Sequence, residues 1–305
     1  MERSARNAWL DAAVLARLSR LPVGARRPMA GAVAGLHRSA TRGSSVEFAE
    51  YRKYEPGDDV RRLDWRVYAR SDRFFVKEFD ADTNLRAVLI LDTSGSMAYE
   101  GAQGSKLDFA RRLAATLAWL LIRQGDAVGL RLTGGDGERE IPPRRAPIHL
   151  RAMLDALTEA RPHGETDLPA ALHRAAERIG RRALIVVVSD FFADPDALLS
   201  AFRHMRFRRH DLALFHVLDE REIRFDFDRP IRFVDLEGGQ HVIGDPALMA
   251  REYRREMDGH LSRLRRDSLE FGADYRLAML GDGYEKALSG FLQQRQRRGT
   301  GRGSA

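Results

Sequence analysis

The stretch Ala183-Leu184-Ile185-Val186-Val187-Val188-Ser189-Asp190 constrains the fold more than any other part of the chain. A short, unbroken apolar run that ends in turn-forming residues reads as a strand buried on both faces, the kind found in parallel sheets. Ala87-Val88-Leu89-Ile90-Leu91 repeats the pattern and also stops at an aspartate, Asp92. Asp126 to Leu132, Asp211 to Leu218 and Tyr275 to Leu280 supply further strands. Helical patterns alternate with them. Ser105–Arg123 carries a stripe of Leu107, Ala110, Arg111, Ala114, Leu117, Ala118 and Leu121. Pro147 opens a helix with Leu150, Met153, Leu154 and Leu157, and Leu168 opens one with Ala171, Leu172 and Ala175. Asp194-Pro195 and Asp245-Pro246 are cap-and-first-turn pairs, the second leading a charged helix to about Leu269, and a last helix covers Tyr284 to Leu292. Such βαβ alternation predicts an α/β fold: a mostly parallel sheet with helices on both faces.

In such a sheet Asp92 ends one strand and Asp190 another, at the edge where ligands bind. Ser94 and Ser96 leave the first strand on the turn Asp92-Thr93-Ser94-Gly95-Ser96, and Thr166 lies in the loop Gly164-Glu165-Thr166-Asp167-Leu168. These groups all offer oxygen, which suits a hard divalent cation, Mg²⁺ or Mn²⁺. The spacing D-x-S-x-S is a weak signal alone, because Ser-Gly-Ser turns are common. Taken together, Asp92, Ser94, Ser96, Thr166 and Asp190 resemble the metal-ion-dependent adhesion site of von Willebrand factor A domains. The resemblance implies a von Willebrand factor A-like, Rossmann-like domain over residues 85–292. It implies Ser94, Ser96 and Thr166 as neutral ligands, direct or through water, with Asp92 and Asp190 offsetting the ion's charge. It also implies a coordination position filled by an acidic side chain of a partner protein.

Residues 1–84 read as a smaller α+β segment. Leu10, Val14, Leu18 and Leu21 share a helix face over Trp9–Leu21, and Pro22 and Gly24 end that helix. Val46–Tyr54 and Arg73–Phe79 read as strands, with a Pro56-Gly57 turn and a short turn capped by Asp58 or Asp59 running to Trp65. The residues Glu47-Phe48, Arg52, Tyr54, Pro56-Gly57-Asp58-Asp59, Arg61, Asp64-Trp65, Arg70 and Val76-Lys77-Glu78-Phe79 resemble the signature of the DUF58 family. In that bacterial family this segment precedes a von Willebrand A-like domain. The resemblance implies association with MoxR-type AAA+ ATPases and other von Willebrand A proteins in a chaperone-like assembly. The acidic run Asp58, Asp59, Asp64 reads as a capped turn neutralised by Arg61, Arg62 and Arg66 rather than as a second metal site, since it lacks ordered ligand spacing.

Smaller features complete the expectation. Thr133–Gly137 is a hairpin turn into an edge strand at Glu140–Pro143, where proline is tolerated. Ile223 to Leu236 alternates apolar and polar residues and turns back at Glu237–Gln240, which predicts a β-hairpin. The tail 293–305 is polar, basic and Gly-rich and is expected to be disordered.

Composition removes several classes of function. There is no cysteine, which excludes disulfides, thiol catalysis and Cys-ligated zinc. The longest apolar stretches are too short to span a bilayer, and Met1–Asn7 lacks the pattern of a secretory leader, so a cytoplasmic protein is expected. A net charge of +7 allows acidic partners or nucleic acid. The arginine clusters at 203–209, 251–255 and 295–302 carry the nucleic-acid alternative, but the sequence has no helix-turn-helix, RNP or zinc pattern. A second alternative is a metal-dependent phosphohydrolase with Asp92 as nucleophile. Enzymes of that kind place another aspartate two residues on, where this chain has Ser94; His163 reads as a loop histidine beside Pro162 rather than as a base. The expected function is therefore a non-enzymatic, metal-dependent protein–protein adaptor. It would hold an exposed Asp or Glu of its partner through Mg²⁺ or Mn²⁺, with a MoxR-type ATPase as the candidate partner.

Overall fold

The computed structural model describes residues 8–23, 48–53, 67–68, 74–79, 85–102, 104–134, 137–180, 182–226, 231–234, 241–244 and 246–300. They fall into two compact units, one made of Met1–Gly24 with Arg86–Ala305, the other of Ala25–Leu85.

The larger unit is built on a six-stranded sheet. Its strands are β3 (Arg86–Asp92), β6 (Ala127–Gly134), β7 (Gly137–Arg144), β8 (Leu184–Ser189), β9 (Asp211–Leu218) and β12 (Asp274–Met279), in the order β12-β9-β8-β3-β6-β7, while β4 (Glu100–Gly101) and β5 (Gly104–Ser105) form a short pair of their own. All pairings are parallel except β6 with β7, which is antiparallel. That edge strand carries Pro142 and Pro143, as an edge permits. The chain places β6 on one side of β3 and then crosses to lay β8 on the other. The boundary between β3 and β8 is thus the topological switch point, where loops part and leave a crevice.

Every residue of β8 and all but the first of β3 are buried, as their unbroken apolar runs require. On one face, Val88, Ile90, Ile185, Val187, Leu212 and Leu214 pack in one core with helices α4 (Leu168–Arg178), α5 (Pro195–Phe207) and α7 (Pro246–Glu270). The alternate residues point the other way. There α2 (Lys106–Arg123) covers β3 and is flanked by α3 (Pro147–Glu159) and α8 (Tyr284–Thr300). Phe215 meets Phe291 of α8 edge-on at 5.3 Å. The first helix, α1 (Ala12–Leu18), joins this layer: Arg17 pairs with Glu285 of α8 at 2.5 Å, and Trp9 Nε1 donates to Thr158 Oγ1 at 2.9 Å.

In the smaller unit, β1 (Phe48–Lys53) and β2 (Phe75–Phe79) pair antiparallel, and the rings of Tyr68 and Phe74 stack 4.3 Å apart. The expected turn at Pro56–Trp65, with Asp58, Asp59 and Asp64, lies outside the described residues.

Three expectations need correction. The N-terminal helix is shorter than Trp9–Leu21, because Asp11 caps it by accepting from the Ala13 and Val14 amides. The strand expected from Ile223 is instead a one-turn helix, α6 (Glu220–Arg224), closed by a capping box: Asp219 accepts from the helix amides and Glu222 reaches back to the Asp219 amide. Among the described residues, the antiparallel pair that follows is β10 (Ile231–Val234) with β11 (His241–Gly244). Finally, α8 does not end at Leu292. Arg295, 3% exposed, turns back to bond Asp274 at the start of β12 and Asp211 at the start of β9, and so carries the helix into the region expected to be a free tail.

Candidate metal centre

Asp92 is the last residue of β3, and the register sets Leu91 beside Val188 of β8. Asp92 therefore lies level with Ser189, whose hydroxyl donates to Asp92 Oδ2 at 2.6 Å. The other carboxylate oxygen accepts from the Ser94 amide at 2.9 Å. Ser94 Oγ and Ser96 Oγ are 3.0 Å apart, held by a single 3₁₀ turn over Gly95–Ala98. Asp190 follows directly on Ser189, at the mouth of the β3–β8 crevice.

The Thr166 loop is tied to this turn by main-chain hydrogen bonds. Gly95 N donates to Gly164 O at 2.9 Å, and His163 N donates to Thr93 O at 3.1 Å. On the other side Thr93 N donates to Thr133 O of β6 at 2.7 Å. Gly134 is required here, since a Cβ would meet the side chain and carbonyl of Thr93. The hydroxyl oxygen of Thr166 is buried and, among the described residues, has no hydrogen-bond partner. A buried hydroxyl left unpaired costs about 1–3 kcal/mol, a cost that a bound ligand would relieve.

The charges make the same point. Asp92 and Asp190 are 3% and 2% exposed. Burial, followed by repulsion from Asp190, pushes the Asp92 carboxyl up to about 6, against the hydrogen bonds from Ser189 and Ser94. Two buried acids with the Ser94 and Ser96 hydroxyls, and the Thr166 loop tied to the same turn, are a donor set that suits a hard divalent cation, which would be held by Asp92, Ser94, Ser96, Thr166 and Asp190. Among the described residues no three His, Cys, Asp or Glu side chains gather in metal-binding geometry. The donor set here is different in kind, two carboxylates completed by hydroxyls.

Two residues of the site were not anticipated from the sequence. Lys106, the first residue of α2, turns inward with its side chain 1% exposed. Its ammonium bonds Asp190 Oδ2 at 2.9 Å and Glu222 Oε1 of α6 at 2.5 Å, over the rings of Phe192 at 4.9 Å and Tyr99 at 5.3 Å. Burial works against the charge on Lys106, but Asp190 and Glu222 outweigh it and hold the ammonium above its ordinary pKa. Burial raises the Glu222 carboxyl in turn, against the pull of the Lys106 ammonium that it shares with Asp190. The sequence signal available was the box Asp219-x-x-Glu222, which fixes the helix turn but not what Glu222 faces.

A family model described as "Protein of unknown function DUF58" matches residues 50–264. The chain belongs to that family. It is similar to an uncharacterized protein of Mycobacterium tuberculosis, 30% identical over 243 residues, 78% of this chain and 76% of that one. It is also similar to the uncharacterized protein YeaD of Bacillus subtilis, 26% identical over 133 residues, 44% of this chain and 30% of YeaD. Among solved structures it is similar to BatB from Bacteroides thetaiotaomicron, 17% identical, covering 70% of this chain and all of that one with a TM-score of 0.48. The von Willebrand A domain of SpRpn10 is 8% identical and covers 68% of this chain and 94% of its own, with a TM-score of 0.41. The strand order and the placement of Asp92 and Asp190 on adjacent central strands give this DUF58 chain the von Willebrand factor A-like form that its motifs resemble.

Proposed function

We propose that this protein is a metal-dependent protein–protein interaction module, an adaptor rather than an enzyme. The observation that carries the reading is the pair of buried, mutually repelling aspartates at the switch point of the sheet, with the unpaired Thr166 hydroxyl in a loop tied to the same turn. Mg²⁺ or Mn²⁺ bound there supplies a Lewis-acidic position that keeps exchangeable water. The chain's own residues hold the site in shape: Ser189 and the Ser94 amide orient Asp92, and the 3₁₀ turn aligns Ser94 with Ser96. An exposed Asp or Glu of a partner protein would replace one water. A MoxR-type AAA+ ATPase is the proposed partner on the family resemblance, in a chaperone-like assembly.

A phosphohydrolase using Asp92 is less well supported. Both oxygens of Asp92 are already engaged, and the position two residues on is Ser94, which bonds Ser96. Among the described residues no helix is long and apolar enough to cross a membrane.

The test is calorimetric. The protein should bind one Mg²⁺ or Mn²⁺, and Thr166→Val should weaken that affinity by at least about tenfold, or about 1.4 kcal/mol, without lowering metal-free stability, because it removes an unpaired hydroxyl. Equal metal affinity in Thr166→Val and wild type would refute the assignment.

A further inference from the structure

Lys106 is in a costly place for a lysine. It stands at the first position of α2, where the helix dipole favours acids, and its ammonium is withdrawn from water. Burying such a charge costs several kcal/mol unless carboxylates repay it. A methionine would fill the same space between Tyr99 and Phe192 without that cost, so packing does not account for the residue.

Charge does. Among the described residues, Asp92, Asp190 and Glu222 are negative, and Lys106 is the cation in contact with Asp190 and Glu222. Asp219 is held apart at the N-terminus of α6, where it accepts from the Arg221 amide. Three carboxylates against one ammonium leave two negative charges, which one divalent ion cancels. Without Lys106 the loaded centre would stay negative and repel an acidic ligand.

We propose that Lys106 is the positioning residue of this centre: it keeps one oxygen of Asp190 for itself and neutralises Glu222, so that the metal-loaded site is uncharged and accepts a carboxylate. The inference rests on the metal reading given above and adds what tunes it. It adds that the carboxylate already proposed enters with no cation required of the partner. It also makes Glu222 a member of the site, although that side chain need not touch the ion.

The experiment uses the full chain, Mn²⁺ as the metal probe and acetate as the carboxylate probe. Mn²⁺ affinity is read from the electron paramagnetic resonance of the free ion. Acetate entry is read as a loss of water-proton relaxation by bound Mn²⁺. Lys106→Met should bind Mn²⁺ at least about tenfold more tightly, since a competing positive charge is removed, and should lose the acetate response. Glu222→Gln should do the reverse, weakening Mn²⁺ by about tenfold and strengthening the acetate response. The double variant Lys106→Met with Glu222→Gln restores the charge and should return both readouts to near wild type. Glu222→Gln carries the test by itself if Lys106→Met does not fold. Mn²⁺ binding to wild type that neither substitution alters would overturn this inference and leave the metal site standing. Absence of Mn²⁺ binding in wild type and both single variants would overturn the metal reading, and this inference with it.

Discussion

Asp92→Asn is the perturbation that most directly tests the electrostatics of the centre. In the folded, metal-free protein the Asp92 carboxyl titrates at about 6 against an ordinary value of 3.8. A raised folded pKa means that the native state holds its proton more tightly than the unfolded chain does. The stabilisation from that proton is complete below about 3.8 and is lost as pH rises through about 6. The shift is about 2 units, and at about 1.4 kcal/mol each the ionised Asp92 costs the metal-free fold about 3 kcal/mol at neutral pH. Asparagine removes the charge but keeps the shape. It gives up part of one hydrogen bond, because its amide nitrogen replaces an acceptor facing either the Ser189 hydroxyl or the Ser94 amide, at a cost of about 1 kcal/mol. The net gain should be about 2 kcal/mol at pH 7.5, or about 4–8 °C in Tm for a unit of this size. Thermal melts in EDTA at pH 4 and pH 7.5 measure it. The variant should be no more stable than wild type at pH 4, more stable at pH 7.5, and indifferent to Mg²⁺. A variant equally or less stable than wild type at pH 7.5, or one that Mg²⁺ still stabilises, would refute the reasoning.

Two further outcomes test the frame around the site. Arg295→Ala breaks the ion pair with Asp274, whose side chain is 1% exposed, and should cost about 3–5 kcal/mol in urea denaturation; adding Asp274→Asn should recover most of it, and a cost below about 1 kcal/mol would show that α8 does not close the sheet there. Gly134→Ala drives a methyl into the Thr93 carbonyl and should lower Tm while weakening Mn²⁺ binding, since Thr93 is the residue both neighbouring loops hold; unchanged metal affinity would show that this anchor does not shape the site.

The sequence made the sheet legible because parallel strands buried on both faces leave nothing but apolar residues to write. Ala183–Val188 and Ala87–Leu91 therefore marked the centre of the sheet, and the aspartates that end them marked its functional edge. Local chemistry misled where two signals overlapped. Ile223–Leu236 alternates like a strand, yet the capping box of Asp219 and Glu222 closes a helical turn at its start before any strand partner is reached. The tail from Gln293 has the composition of a disordered segment, but the helix continues to Thr300, with one buried arginine held by two aspartate partners. Lys106 was invisible for a different reason. Its partners stand 84 residues away at Asp190 and farther still at Glu222, and nothing in a one-dimensional pattern says that the first residue of an amphipathic helix points inward.

The bonds that align the Thr93 turn with the Thr166 loop and with β6 all run between main-chain atoms: Gly95 to Gly164, His163 to Thr93, and Thr93 to Thr133. Main-chain donors and acceptors belong to nearly every residue type. The alignment of the loops is thus insulated from the identity of most side chains they display. Glu165 is exposed on this rim and can change by substitution without disturbing the oxygens beneath. A scaffold of this kind separates what must stay constant from what can be rewritten, so the partner face can diverge by point mutation while the centre it surrounds is inherited intact.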